Sequence, residues 1–315
     1  MPSNLLANLL SPRYPSCAIG LEKGAASAVQ LDRARGGFVI KRAASVALPD
    51  ELIQPDFDQT NISDPAELME ALADLLTSAG LMRQRKWSVS FPETATRTAI
   101  LTLEGATGSK REQEEMLEWK TERTFGAQLS ELRLARESLA PDSRNQKRYL
   151  ITAVRHSVLA EYESVFAALG WQAGLVLPRH VGEEQWLRNG QHGDGLLLTG
   201  HDEGFIAVLL RHNRPFVVRS VFCDKQDCDD ELYRVLMFYR DRAGSNGEGP
   251  SEATLNRLLV LGELLDRKRV AEIARETLDA DLRPLDAADV GLLIPGGDIS
   301  FDTIAAPAGL AKMAW

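Results

Sequence analysis

Between Cys17 and Pro49 three short runs rich in apolar residues are joined by tight glycine-containing turns, which predicts a three-strand meander. A helical period follows. In "SDPAELMEALADLLTSAGL" Leu68, Leu72, Leu75 and Leu76 recur at helical spacing, Ser63 or Asp64 can cap the start, Pro65 suits the first helical position and Gly80 stops the run. "KWSVSFPETATRTAILTL" alternates like strand, so the chain reads strand, strand, strand, helix, strand.

From Gly105 the texture changes. Ser109 and Glu112 stand at capping-box spacing, which starts a helix near Lys110. "LRLARESLA" and "RYLITAVRH", separated by a polar turn at Pro141 to Lys147, predict a hairpin. "SVLAEYESVFAALG" then predicts a helix with Leu159, Tyr162, Val165, Phe166 and Leu169 on its apolar side. Helix, hairpin, helix makes a small inserted α+β subdomain. The run from Asp194 to Cys223 carries three apolar stretches broken at Gly200 to Gly204 and at His212 to Pro215, repeating the opening meander. A helix over Cys228 to Arg242, a Gly/Ser-rich stretch, the strand "RLLVLGE", the helix "LDRKRVAEIARETL" and the tail "SFDTIAAPAGLAKMAW" complete the chain.

With 315 residues there is room for two lobes. Charged residues at 26% and a net charge of -9 exclude nucleic acid as a general partner, since phosphate binding needs clustered cations. No apolar run approaches the ~18 residues that span a bilayer, and the start lacks a leader pattern, so the expected location is cytoplasmic without membrane insertion. Three cysteines, Cys17, Cys223 and Cys228, are odd in number and uneven in spacing, which reads against a disulfide framework and fits a reduced compartment. No histidine lies near "CDKQDCDDE" to complete a metal set, and no metal site is expected. Hydrolase elbows, zinc-protease motifs and Gly-rich Lys-Ser/Thr loops are absent, and no catalytic residue is assigned.

A duplicated three-strand meander followed by a helix, with a subdomain inserted in the first copy, resembles the actin-like ATPase superfamily. "MLEWKTERTFGAQLSEL", with Trp119, Glu122, Phe125 and Leu129, is similar to a segment of PilM-type proteins of type IV pilus assembly, although Gly126 stands where that family has proline. "YLITAVRHSVLAEYESVFAALGWQAGLVLP", "ELYRVLMFYRD" and "AGLAKM" follow in the family's order. The resemblance implies an α/β fold of the actin-like (ribonuclease H-like) kind, duplicated in two lobes. Its parts would be an N-terminal arm (1–16), a first lobe (17–104), the inserted subdomain (105–177), a connecting helix (178–192) and a second lobe (193–315).

It also implies a nucleotide site built from two phosphate-binding turns and an adenosine turn. Where the family's first turn reads Gly-Ile-Asp-Ile-Gly-Ser-Ser-Ser, this chain has Gly20, Leu21, Glu22, Lys23, Gly24, Ala25, Ala26 and Ser27. Glu22 is a methylene longer than Asp, Lys23 can neutralise a phosphate or pair with Glu22, and Ala25 lacks a hydroxyl. In the second turn, around Gly200, His201 and Asp202, the expected register puts Leu198 at the acid and Gly204 at the threonine. The adenosine turn keeps Gly262 but follows it with Glu263. Three damaged elements read against hydrolysis and against a required cofactor. The alternative is a working actin-fold ATPase or phosphotransferase that uses ATP and Mg2+. By resemblance, the partner is the cytoplasmic tail of a bitopic inner-membrane assembly protein of PilN type, lying in a groove beside the inserted subdomain near Trp119 and Phe125. The protein would thus be peripheral to the inner membrane, with self-association possible. Residues 4–10 repeat Asn-Leu-Leu, echoing the Asn-Leu-Leu-Pro signature of the captured tail, so the arm is a candidate occupant of the same groove.

Overall fold

The structure is a computed structural model that describes residues 14–104, 109–142, 144–188, 193–245, 255–296 and 299–315. The Asn-Leu-Leu repeats of the arm lie outside these, as does most of the Gly/Ser-rich stretch after residue 245.

β1 (Cys17–Glu22), β2 (Ala25–Ala34) and β3 (Gly37–Ala47) form the antiparallel meander, and after α1 (Pro65–Ser78) β4 (Lys86–Phe91) returns parallel to β1. Asp64 is the residue that caps α1, its carboxylate accepting from the amides of Ala66 and Glu67. The α1 leucines at helical spacing are all buried.

The inserted unit is smaller than 105–177. Pro92 and a single 3-10 turn end β4's sheet, and β5 (Arg97–Leu103) joins a separate sheet of order β5-β7-β6 with β6 (Leu132–Leu139) and β7 (Lys147–Arg155). The helix α2 (Lys110–Phe125), opened by the Ser109/Glu112 capping box, covers this sheet. By contrast α3 (His156–Ala168) places Val158, Tyr162, Val165 and Phe166 in the first lobe's core, and β8 (Gln172–Pro178) pairs parallel with β4. The subdomain therefore runs from about the end of β4 to the end of β7. It is held to the first lobe by Phe57, whose ring lies under the guanidinium groups of Arg97 (4.2 Å) and Arg155 (5.5 Å).

The expected connecting helix over 178–192 is one short helix, α4 (Arg179–Glu184), and a 3-10 turn, with 189–192 outside the described residues. The second lobe repeats the first. β9 (Asp194–His201), β10 (Gly204–Arg211) and β11 (Arg214–Phe222) form a meander, and α5 (Cys228–Ser245) leads to β12 (Leu255–Leu261), parallel to β9. α6 (Arg267–Leu278) then packs on α5. The order β11-β10-β9-β12 reproduces β3-β2-β1-β4.

The tail does not stay with the second lobe. β13 (Leu292–Leu293) pairs with β3, and α7 (Phe301–Lys312) packs on β1 and β2. Strand alternation distributes the core: Leu196 and Leu198 face the outer layer of α5 and α6, whereas Leu197 faces the layer between the lobes with Ala18, Val29 and Ile304. Central strands covered on both faces explain the unbroken apolar run of β9.

Candidate functional site

The turns that the resemblance marks do converge in the cleft between the lobes, and protein side chains fill the space between them. The first turn is Lys23-Gly24, closed by the pair Glu22 and Ala25. Glu22 does not pair with Lys23. Its carboxylate accepts from Arg179 Nη1 at 2.7 Å, and Lys23 reaches across to Asp202 in the other lobe at 3.1 Å. Arg179, the first residue of α4, also donates through Nε to Glu183 one turn on (2.7 Å), and its Nη1 lies 3.5 Å from the Gly200 carbonyl of the second turn. Glu183 has no exposed side-chain surface, and its other oxygen accepts from the Thr199 hydroxyl. One guanidinium thus stands between the two turns, neutralised by two carboxylates. Burial opposes its charge, but Glu183 and Glu22 beside it raise its pKa above the ordinary arginine value. Burial pushes the Glu183 carboxyl up, opposed by Arg179 and Thr199. The Ser27 hydroxyl is spent on the Thr303 carbonyl of α7 (3.2 Å).

The second turn corrects the expected register. His201 pairs with Gly204 across the hairpin as Glu22 pairs with Ala25, so His201, not Leu198, is the counterpart of Glu22. Leu198 points into the outer core, because a strand position an odd number of residues away faces the opposite side. A hydroxyl is also present, for Thr199 faces the cleft, although it is engaged by Glu183. Gly204 has φ +142°, and a Cβ there would lie 2.0 Å from the Val221 carbonyl, so no threonine fits.

The third turn sits directly on the second. A Cβ on Gly262 would lie 2.8 Å from the Gly200 carbonyl, and one on Gly200 would lie 2.8 Å from Leu264 Cβ. Glu263 is exposed. Beside the cleft, His180 of α4 donates through its backbone amide (3.1 Å) and through Nδ1 (2.8 Å) to Glu93, the residue after the Pro92 that follows β4. Burial opposes the imidazolium, but Glu93 raises the His180 pKa; burial likewise opposes the Glu93 carboxylate, and His180 lowers its pKa. Burial lowers the pKa of His201.

Arg179, Glu183, Thr199, Glu93 and His180 were not singled out in the sequence. The available signal was "PRHVGEE", where charged residues at i and i+4 interrupt an apolar stretch. In the subdomain, Phe125 is 2% exposed and packs with Leu117, Leu132 and Ile151, so its ring belongs to that core. Trp119 is 55% exposed on the outer side of α2, with Arg123 at 5.3 Å from its ring. Among the described residues no group of three or more His, Cys, Asp or Glu side chains is arranged to hold a metal, and no helix is long and apolar enough to cross a membrane.

Two lobes of the same strand order, joined by α4 and closed by a returning C-terminal helix, define the actin-like fold. A chain of the PilM-PilN type IV pilus biogenesis complex superposes with TM-score 0.73 and 18% identity, covering 96% of this chain and 99% of that one. This protein has the fold of that PilM-type structure over nearly the full length of both chains. The cytoplasmic domain of EpsL, an inner-membrane component of the type II secretion system of Vibrio cholerae, superposes at TM-score 0.46 with 14% identity over 84% of this chain and 94% of its own. A protein of unknown function with an actin-like ATPase fold from Bacteroides thetaiotaomicron gives 0.45 and 11%, over 97% and 98%. No protein-family model and no curated protein matches the sequence.

Proposed function

We propose that this protein is a non-hydrolysing actin-like scaffold of a type IV pilus or related secretion assembly. It captures the cytoplasmic tail of a bitopic inner-membrane protein of PilN type and is held at the membrane through that partner. The observation that carries the reading is Arg179. Its guanidinium, with Glu22 and Glu183, takes up the space between the two turns where triphosphate and Mg2+ would have to lie. Phosphoryl transfer depends on positioned phosphates and metal charge, and a site already neutralised by its own side chains offers neither. Tail capture needs no turnover, and the exposed Trp119 on α2 is the surface offered to it.

The test pairs two assays on the full chain. A labelled peptide bearing the Asn-Leu-Leu-Pro signature should bind, while MgATP at millimolar concentration should neither raise Tm nor release phosphate above a blank. Phosphate release that Glu22→Ala abolishes would overturn the scaffold reading in favour of an ATPase.

A further inference from the structure

Cys223, directly after β11, and Cys228, the first residue of α5, hold their Sγ atoms 3.0 Å apart, and both are free thiols. The two sit at one corner of the second lobe. The Cys223 amide donates to the Glu203 carbonyl of the β9–β10 turn at 3.0 Å, and the Cys228 thiol lies 3.4 Å from the Asp224 carbonyl. Cys228 is buried, whereas Cys223 is partly exposed. Around them Asp224, Asp227, Asp229 and Asp230 are all exposed, with Lys225 the nearby cation in sequence and Arg269 of α6 paired with Asp229 at 2.9 Å.

We propose that Cys223 and Cys228 form a thiol–disulfide exchange site that closes to an intramolecular disulfide, with cationic small disulfides as its preferred oxidants. The partly exposed Cys223 is the attacking thiol. As thiolate it bonds to one sulfur of an incoming disulfide, whose S–S bond breaks and whose other half leaves as a thiolate with the electron pair. Cys228 then gives its proton to solvent, attacks the Cys223 sulfur and expels the second half as a thiolate. The protein loses two electrons and two protons, and the small disulfide becomes two thiols. Burial and the neighbouring thiol push the Cys228 pKa up to about 12, which suits a resolving rather than an attacking role. With Asp229 offset by Arg269, it is Asp224, Asp227 and Asp230 that repel an anionic oxidant and attract a cationic one.

The experiment uses the folded full chain, incubated at pH 8 with equal concentrations of cystamine or oxidised glutathione, acid-quenched and weighed intact. The expected product is lighter by two hydrogens, and denaturing alkylation then labels one of the three cysteines, Cys17, rather than all three. Cystamine should close the pair faster than oxidised glutathione. Cys228→Ser should stop at a single cysteamine adduct on Cys223, and Cys223→Ser should leave Cys228 unmodified while the protein stays folded. A stable mixed disulfide on the natural chain, or no mass change under conditions that oxidise the denatured chain, would overturn the exchange site. Faster closure with glutathione would overturn its charge selectivity.

Discussion

Replacing Arg179 by methionine keeps the length and apolar stem of the side chain but removes the cation that two carboxylates share. Glu183 is the decisive partner, because its side chain has no exposed surface and cannot turn to water. Glu22 is 32% exposed on its side chain and can recover part of its hydration. Orphaning one buried charge costs about 3–5 kcal/mol. With an unfolding entropy of ~2.1 cal/mol/K per residue, a chain of this length loses roughly 1.5 °C of Tm per kcal/mol, so the expected fall is about 5–8 °C. Denaturant unfolding followed by circular dichroism measures the free energy directly. The control is the double variant Arg179→Met with Glu183→Met, which replaces the pair by apolar groups and should recover most of the loss, since buried ion pairs are close to neutral against hydrophobic isosteres. If the single variant is as stable as the natural chain, the guanidinium is not a buried counter-ion. If the double variant is no better than the single one, the loss comes from packing along α4 rather than from an orphaned Glu183.

The His180–Glu93 pair sets a pH dependence. His180 has its folded pKa raised above 6.5, so its contribution is complete below 6.5 and is lost as pH rises through the raised value; Glu93 has its folded pKa lowered below 4.5, so its contribution is complete above 4.5 and is lost as pH falls through the lowered value. Tm should therefore be highest between about 4.5 and 6.5 for this pair and decline on the alkaline side, and His180→Gln should flatten that decline in a thermal series. In the subdomain, Phe125→Ala should cost ~3–5 kcal/mol by leaving a cavity among Leu117, Leu132 and Ile151. Trp119→Ala should change stability by less than ~0.5 kcal/mol yet weaken tail-peptide binding by fluorescence anisotropy, and unchanged affinity would move the groove away from the outer side of α2.

The duplicated lobe was legible because its signals are local and periodic. β1 and β10 read as short apolar runs bounded by turn residues, the α1 leucines recur at period 3.6, and Asp64, Ser109 and Gly80 punctuate the ends. What escaped the sequence were decisions made at a distance. β5 reads like a continuation of β4, and only its pairing with β7 assigns it to the subdomain. α7 lies more than 250 residues from the strands it covers, and its small, apolar sequence is compatible with either lobe. The register of the second turn was misplaced by matching the family along β10, whereas the cross-strand pairs fix it from the turn outward. Arg179 escaped for the same reason. An arginine carries no local mark of burial, and one of its two counter-charges, Glu22, is 157 residues away.

In the proposed reading the departures from the family pattern are not independent losses, because protein contacts occupy the positions that the resemblance assigns to nucleotide contacts. Gly204 lacks a hydroxyl because the Val221 carbonyl lies where any side chain would begin, and the third turn is seated on Gly200 so closely that a side chain at Gly262 would meet the Gly200 carbonyl. Thr199 keeps a hydroxyl in the cleft but gives it to Glu183, Ser27 gives its own to α7, and Asp202 keeps a charge but gives it to Lys23. Of these links Lys23–Asp202 is half exposed and contributes little, about 0–1 kcal/mol, so the cross-lobe connection rests on the buried Arg179 network and the shared core beneath it. A ligand gripped by turns from both lobes would join them by mass action, in proportion to its concentration. An arginine on the chain's own helix joins them at every concentration, which is the behaviour the proposed scaffold role requires and a nucleotide-driven switch would lose.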